Sequence, residues 1–377
     1  MTPIRVTYAV GGSAAEVRER AHAIAWEQSV EVPESVIVSQ ALRDAVVGRV
    51  EDISALCPQV HAVQIAYPGD HAEMPPSQLM NLVFGNISLL DTIRVLRIQL
   101  PHELSAYYDE PQFGCEGIRG VVGDGGVYDR PLLATALKPK GASTADLAGL
   151  AYGFALGGGD LVKDDHNLVD SRFDQYQRRV GACAEAVLRA NEETGRRTLY
   201  LANLAGPSEE LDERLAFLRE VGAAGFLIAP FLVGLDRTQE LARRYSLIAV
   251  SHPAWAGGFL GRTHGIAHDV LLGQLPRLLG LDASVFPNSG GRFGFTRGEC
   301  LSIAERLLEP TEPSRRAAFP APAGGMQLAS VADMARDYGT EAMFLVGGAL
   351  LQHSDDIRVS TRTFQQAIAS HFGVAGA

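Results

Sequence analysis

Two lysines flanking a proline, Lys138-Pro139-Lys140, close the apolar run RPLLATAL, and Lys163-Asp164-Asp165-His166 closes the next one, GGDLV. Lysines at a strand end can turn their ammonium groups into one cavity, where partial burial lowers the pKa toward the range useful for proton transfer. Taken alone, the first motif also reads as a solvated basic turn. Strand alternation sends Lys163 and Asp165 to one face, and an oxygen-rich cluster of that kind suits Mg²⁺. The other reading of that motif is a loop whose carboxylates cap the next helix. Further along, His252 follows Ser251, and the pairs Gly324-Gly325 and Gly347-Gly348 stand where apolar runs give way to helical pattern. Backbone N–H groups exposed at such turns bind phosphate.

These residues need elements to hold them. From residue 118 onward, short runs of Val, Ile, Leu and Phe alternate with longer segments of helical period, the rhythm of a parallel sheet covered by helices. Eight strands are expected, over 130–139, 158–165, 197–204, 224–230, 245–253, 282–287, 317–325 and 341–348. Lys138, Lys163, Asn203 and His252 then fall at carboxyl ends of strands, where a (β/α)8 barrel places its chemistry. The count of eight favours a closed barrel over the alternative, a doubly wound open sheet.

The spacing predicts helices over 173–195, ending on Gly195, over 208–222, opening at Ser208, and over 268–280. The last contains Pro276, and an interior proline costs about 3 kcal/mol. Before the barrel, strands are expected at 1–10, 30–39 and 61–68, with helices at 13–28 and 74–86, which suggests a small α+β domain of ferredoxin-like type. The Gly- and Asp-rich stretch 121–131 reads as the junction, and the predicted domains are 1–117 and 118–377.

Composition narrows the partners. Of 377 residues, 46% are hydrophobic and 20% charged, enough for a large core and against disorder. Lys and Arg number 33 against 44 Asp and Glu, a net charge of −11, and no basic run follows a phosphate backbone, so nucleic acid is not an expected partner. No uninterrupted apolar run of about 18 residues is present to span a membrane. Cys57, Cys115, Cys183 and Cys300 lack CxxC spacing, and the opening MTPIRVTYAV reads as a strand, not a leader; a cytoplasmic protein is expected.

Together the motifs resemble the large subunit of ribulose-bisphosphate carboxylase/oxygenase (RuBisCO). RPLLATALKPK (130–140) is similar to the family's segment with two active-site lysines, and GGGDLVKDDHN (157–167) to its signature GGxDFxKDDE. CAEAVLRANEETG (183–195), SHP (251–253), THGI (263–266), AGGM (323–326) and VGGALLQH (346–353) follow in the family's order; AIAWEQS (23–29) and LVFGN (82–86) correspond in the amino-terminal part. The resemblance implies an α+β domain before a (β/α)8 barrel, and a homodimer whose active sites are completed by the partner's amino-terminal residues. It implies Lys138 as the proton-abstracting base, Lys140 as its partner lysine and His252 as an active-site histidine. Lys163 takes the place of a carbamylated metal-ligand lysine and Asp165 that of a carboxylate ligand of Mg²⁺. Glu27, Asn86, His264, Arg292, Gly324, Gly325, Gly347 and Gly348 fall at substrate- and phosphate-binding positions.

The departures are as telling. His166 stands where the family has a glutamate ligand, which removes one negative charge from a site for a hard cation. Pro253 replaces an arginine that binds one substrate phosphate, Ala323 replaces a serine, and Val32 falls where a threonine is expected. Loop six, PNSGGRFGF (287–295), offers Arg292 but no counterpart of the family's lysine. Losses gather at one phosphate subsite while the glycine pairs of the other remain, which implies a substrate with one phosphate and a RuBisCO-like protein (form IV), not a CO₂-fixing carboxylase. The expected activity is Mg²⁺-dependent proton abstraction next to the carbonyl of a monophosphorylated ketose or keto sugar acid, as an isomerase or enolase of the methylthioribulose-phosphate kind in methionine salvage. The alternatives are a decarboxylase of a phosphorylated branched keto sugar acid and, from another class, a non-catalytic metabolite-binding regulator.

Overall fold

A computed structural model describes residues 2–68, 74–105, 108–309 and 316–374. The amino-terminal part is a sheet of β1 (Ile4–Gly11), β2 (Arg49–Cys57), β3 (Val60–Tyr67) and β4 (Ile93–Gln99). Antiparallel pairing of β1 with β3, β1 with β4 and β2 with β3 gives the order β4-β1-β3-β2, the ferredoxin-like arrangement. Ile4, Val6, Tyr8 and Val10 alternate inward along β1. The helix Ala14–Glu27 is started by a capping box, Ser13 with Glu16, and packs Val17, Ala21 and Ile24 into the core.

The strand expected over 30–39 does not form. Pro33 precedes a 3₁₀ turn, Glu34–Val36, and the helix Gln40–Val46 follows. Val36 and Val38 are 62% and 90% exposed and only Ile37 between them is buried, so this apolar pattern presents no continuous face to a core. Proline also removes a ladder donor, which argues against a central strand. The true second strand, β2, is mostly exposed and so lacks the alternation that betrays a half-buried strand; β4 likewise lies outside the predicted set.

All eight predicted barrel strands form: β5 (Leu132–Leu137), β6 (Leu161–Asp164), β7 (Leu199–Asn203), β8 (Gly225–Ile228), β9 (Ile248–Ser251), β11 (Ala283–Pro287), β12 (Phe319–Ala323) and β13 (Met343–Leu345). They close in the order β11-β12-β13-β5-β6-β7-β8-β9, which excludes the open doubly wound sheet. The two-residue strand β10 (Gly265–Ile266) leaves the barrel part and adds in parallel to β4. The helix Phe173–Thr194 ends at Gly195, whose φ of 67° is the left-handed cap expected of a glycine there. Pro276 divides the helix predicted over 268–280 into a π turn, Val270–Gln274, and a short helix, Leu275–Leu278. The wider turn relieves the clash of the proline ring with the preceding backbone. The helix Gly114–Val121 spans the predicted domain division, and Cys115 N donates to Ala317 O beside the barrel. Among the described residues no helix is long and apolar enough to cross a membrane.

Candidate functional site

Adjacent pairing of β5 and β6 sets Ala136 opposite Lys163 and Leu137 opposite Asp164, so Lys138 and Asp165 emerge side by side at the barrel mouth. The Lys138 ammonium pairs with the Asp165 carboxylate there. Asp165 Oδ1 also accepts from Asn167 N at 3.1 Å and lies 3.4 Å from His166 Nδ1. Burial opposes its ionisation, but Lys138, the Asn167 N–H and the charge of Lys163 together hold its pKa below the usual carboxylate range. Lys163 is buried, with Nζ donating to Asp164 O at 3.0 Å. Burial lowers its pKa to about 8, the attraction of Asp165 being partly cancelled by Lys138.

The His166 and His252 rings stack at 4.1 Å with 18° between planes. Burial, aided by the charges of Lys163, Lys138 and Arg292, lowers the pKa of His166 against the pull of Asp165. His252 falls to about 2, mainly through burial and then through Lys163, so its ring is neutral at any working pH. Ala254 N donates to His252 Nδ1 at 3.2 Å, which assigns the ring proton to Nε2.

Asp164 faces the other way. Its carboxylate, fully buried, accepts from Arg179 Nη1 at 2.6 Å, Tyr200 Oη at 3.0 Å and Asn203 N at 2.9 Å. Strand alternation already left Asp164 off the face of Lys163 and Asp165, but its partner Arg179 was not foreseen; the available signal was an arginine at a core-facing position of the helix Phe173–Thr194.

The glycine pairs lie on the next strands round the mouth. A Cβ on Gly347 would come 3.9 Å from Lys138 Cε, which places that backbone beside the lysine. Gly324 and Gly325 both have left-handed φ, 83° and 71°, and a Cβ on Gly325 would meet Gly291 Cα of loop six at 2.8 Å. Arg292, exposed, lies 4.9 Å over the Phe293 ring, and its charge reaches His166.

Other expected residues stand apart. Lys140 is exposed and in no ion pair among the described residues. Asn86 Nδ2 donates to Glu27 Oε1 at 2.9 Å, forming a pair within the amino-terminal part. Both ring nitrogens of His264 are engaged, Nδ1 with Ile93 N at 3.4 Å and Nε2 with Ser88 O at 3.0 Å. With its ring also against Phe84, His264 pins β4 and the preceding turn, and neither nitrogen is left for a phosphate.

Among the described residues no three His, Cys, Asp or Glu side chains gather as a ready metal site. The donor set at the mouth is one carboxylate, one neutral imidazole and the Lys163 amine. An amine is a poor ligand for Mg²⁺, but one with a pKa near 8 is available to add CO₂, and the resulting carbamate supplies oxygen. In that form the set would suit the cation, with two negative charges, on the carbamate and Asp165, where a glutamate in place of His166 would make three.

Known proteins are similar to this chain in sequence and fold. Residues 118–293 match the family described as ribulose bisphosphate carboxylase large chain, catalytic domain. The chain is 40% identical over 367 residues to the 5-methylthioribulose-1-phosphate isomerase of Rhodospirillum rubrum, across 97% of this chain and 96% of that protein. It is 36% identical over 312 residues to the 2,3-diketo-5-methylthiopentyl-1-phosphate enolase of Geobacillus thermodenitrificans, across 81% and 74%. The crystal structure of the Rubisco-like protein from Rhodopseudomonas palustris aligns with a TM-score of 0.88 at 36% identity, covering 98% of this chain and 99% of that one. The barrel and the sheet before it are those of the RuBisCO large-chain family, and the chain belongs to that family's RuBisCO-like proteins.

Proposed function

We propose that the protein enolises a monophosphorylated ketose and returns the proton elsewhere, as an isomerase. The observation that carries this reading is the Lys138–Asp165 ion pair set beside buried Lys163 at neighbouring strand ends. Lys138, once its pairing with Asp165 is released and its ammonium has given a proton to solvent, takes as a neutral amine the proton next to the carbonyl, and the exposed ammonium of Lys140 lies one proline away to balance charge. The neutral His252 ring presents Nε2–H to the oxygen that becomes negative, a donor whose proton is not lost at working pH. The backbone amides of Gly324, Gly325, Gly347 and Gly348, with Arg292, receive the phosphate.

Lys163 as a carbamate, Asp165 and His166 would hold Mg²⁺, which supplies Lewis-acid polarisation of the carbonyl when bound. The Glu27–Asn86 pair, lying outside its own cluster, would complete the site of a second copy in a homodimer.

No lysine or arginine occurs between Arg244 and Arg262, the stretch that carries His252 and Pro253, so nothing there favours a second phosphate. 5-Methylthioribulose 1-phosphate, the compound named for the relative matched over nearly its full length, is the first substrate to try. NMR of that compound with enzyme and Mg²⁺ should show its conversion, while ribulose 1,5-bisphosphate with labelled CO₂ should fix no label. Fixation of label would overturn the reading.

A further inference from the structure

Asn203 ends β7, is 5% exposed and has no part in the chemistry above, yet its polar atoms serve the turn that carries the site. Its Nδ2 donates to His166 O at 3.0 Å and to Leu168 O at 3.1 Å, and its backbone N donates to Asp164 Oδ2. Both side-chain partners are carbonyl oxygens, which only accept, so the amide nitrogen must face them. The turn has its own bonds, Leu168 N to Asp165 O at 2.9 Å and Asn167 N to Asp165 Oδ1. From behind, Arg179 joins Asp164 to Asp170. The segment 164–168 is thus gripped on both sides, and its two remaining carbonyls are collected by one side chain from the neighbouring strand.

We propose that Asn203 is a positioning residue: its amide fixes the 165–168 turn so that the His166 ring lies against His252 and Asp165 faces Lys138. The kinetic consequence rests on the proposed enolisation; the geometric one does not.

The helix Phe173–Thr194 supplies a matched control just before the same strand begins. Asn191 Nδ2 donates to Thr198 O at 3.0 Å and Asn191 Oδ1 accepts from Thr198 N at 2.8 Å, again two backbone bonds from one amide, but at the amino-terminal side of the barrel. The test compares Asn203→Ala, Asn203→Ser and Asn191→Ala by thermal unfolding, by NMR of histidine-labelled protein with His166 and His252 signals assigned through their glutamine variants, and by turnover. Both alanine variants should lower Tm by similar amounts. Only Asn203→Ala should move the His166 and His252 ring signals and lower kcat by about 10–100-fold with KM little changed. Asn203→Ser, which keeps a donor, should recover part of the loss. Unmoved ring signals in Asn203→Ala, or equal movement in Asn191→Ala, overturn the proposal. If the ring signals move as expected while the wild type turns over no sugar phosphate, positioning stands and enolisation falls.

Discussion

Asp164 and Asp165 are neighbours in the chain and face opposite sides of the barrel wall: Asp164 meets Arg179 at 2.6 Å in the interior, Asp165 meets Lys138 at the mouth. A single strand step turns the side chain over, so one motif holds a structural carboxylate and a chemical one.

Substitution should separate the two. Asp164→Asn removes the closer of two carboxylates on buried Arg179 and leaves Asp170 at 2.9 Å, so the loss should be on the order of 2 kcal/mol, short of the cost of a buried charge left with no partner. Asp165→Asn removes an ion pair whose lysine is 39% exposed, worth about 0–1 kcal/mol, but should abolish turnover. Urea unfolding beside activity measurements checks this; equal stability losses from both variants would contradict it.

Lys163 gives a prediction with a definite sign. Its pKa is about 8 in the folded protein against 10.5 for an ordinary lysine, so between those values the folded state binds fewer protons than the unfolded one. Stability therefore rises with pH through that window, and below pH 8 the cost of burying the charge is fully present. Lys163→Met should stabilise the protein at pH 7 by on the order of 3 kcal/mol while removing activity, and the gain should fade toward pH 10. Unfolding curves at the two pH values decide it, and a less stable variant at pH 7 would be the contrary result.

The same amine should take up CO₂. Only its neutral form reacts, so a carbamate signal from ¹³C-labelled bicarbonate should grow as pH passes through about 8 and be missing in Lys163→Ala. A signal independent of pH, or one that survives the substitution, would place the carbamate elsewhere.

Loop six depends on Gly325. An alanine there meets Gly291 Cα at 2.8 Å and takes a left-handed φ, whereas alanine at Gly195 takes a left-handed φ of 67° in open space. Both variants carry backbone strain of about 1–2 kcal/mol, but only Gly325→Ala should displace Arg292 and raise KM for the phosphorylated substrate, by tenfold or more. Indistinguishable KM values for the two variants would remove loop six from phosphate binding.

The barrel was legible because each strand is a short, largely apolar and nearly wholly buried run between glycine and charged punctuation, and its strand ends carried the polar residues. The amino-terminal sheet was less so. VEVPESVIVS has strand-like residues but no face to bury, while β2 has a real place in the sheet and exposed residues that hide it. Lys138, Lys163, Asp165, His166 and His252 could be named from strand-end position and resemblance. The engagement of His264 with Ser88 and Ile93, and of Asn203 with the turn after β6, could not, because both are contacts between segments far apart in the chain.

The central claim is that this mouth abstracts a proton next to a carbonyl. The direct measurement is NMR of 5-methylthioribulose 1-phosphate in deuterated water with enzyme and Mg²⁺. The account predicts deuterium at the carbon next to the carbonyl with wild type and none above background with Lys138→Ala. Product formed without solvent deuterium, or exchange equally fast in Lys138→Ala, would contradict it.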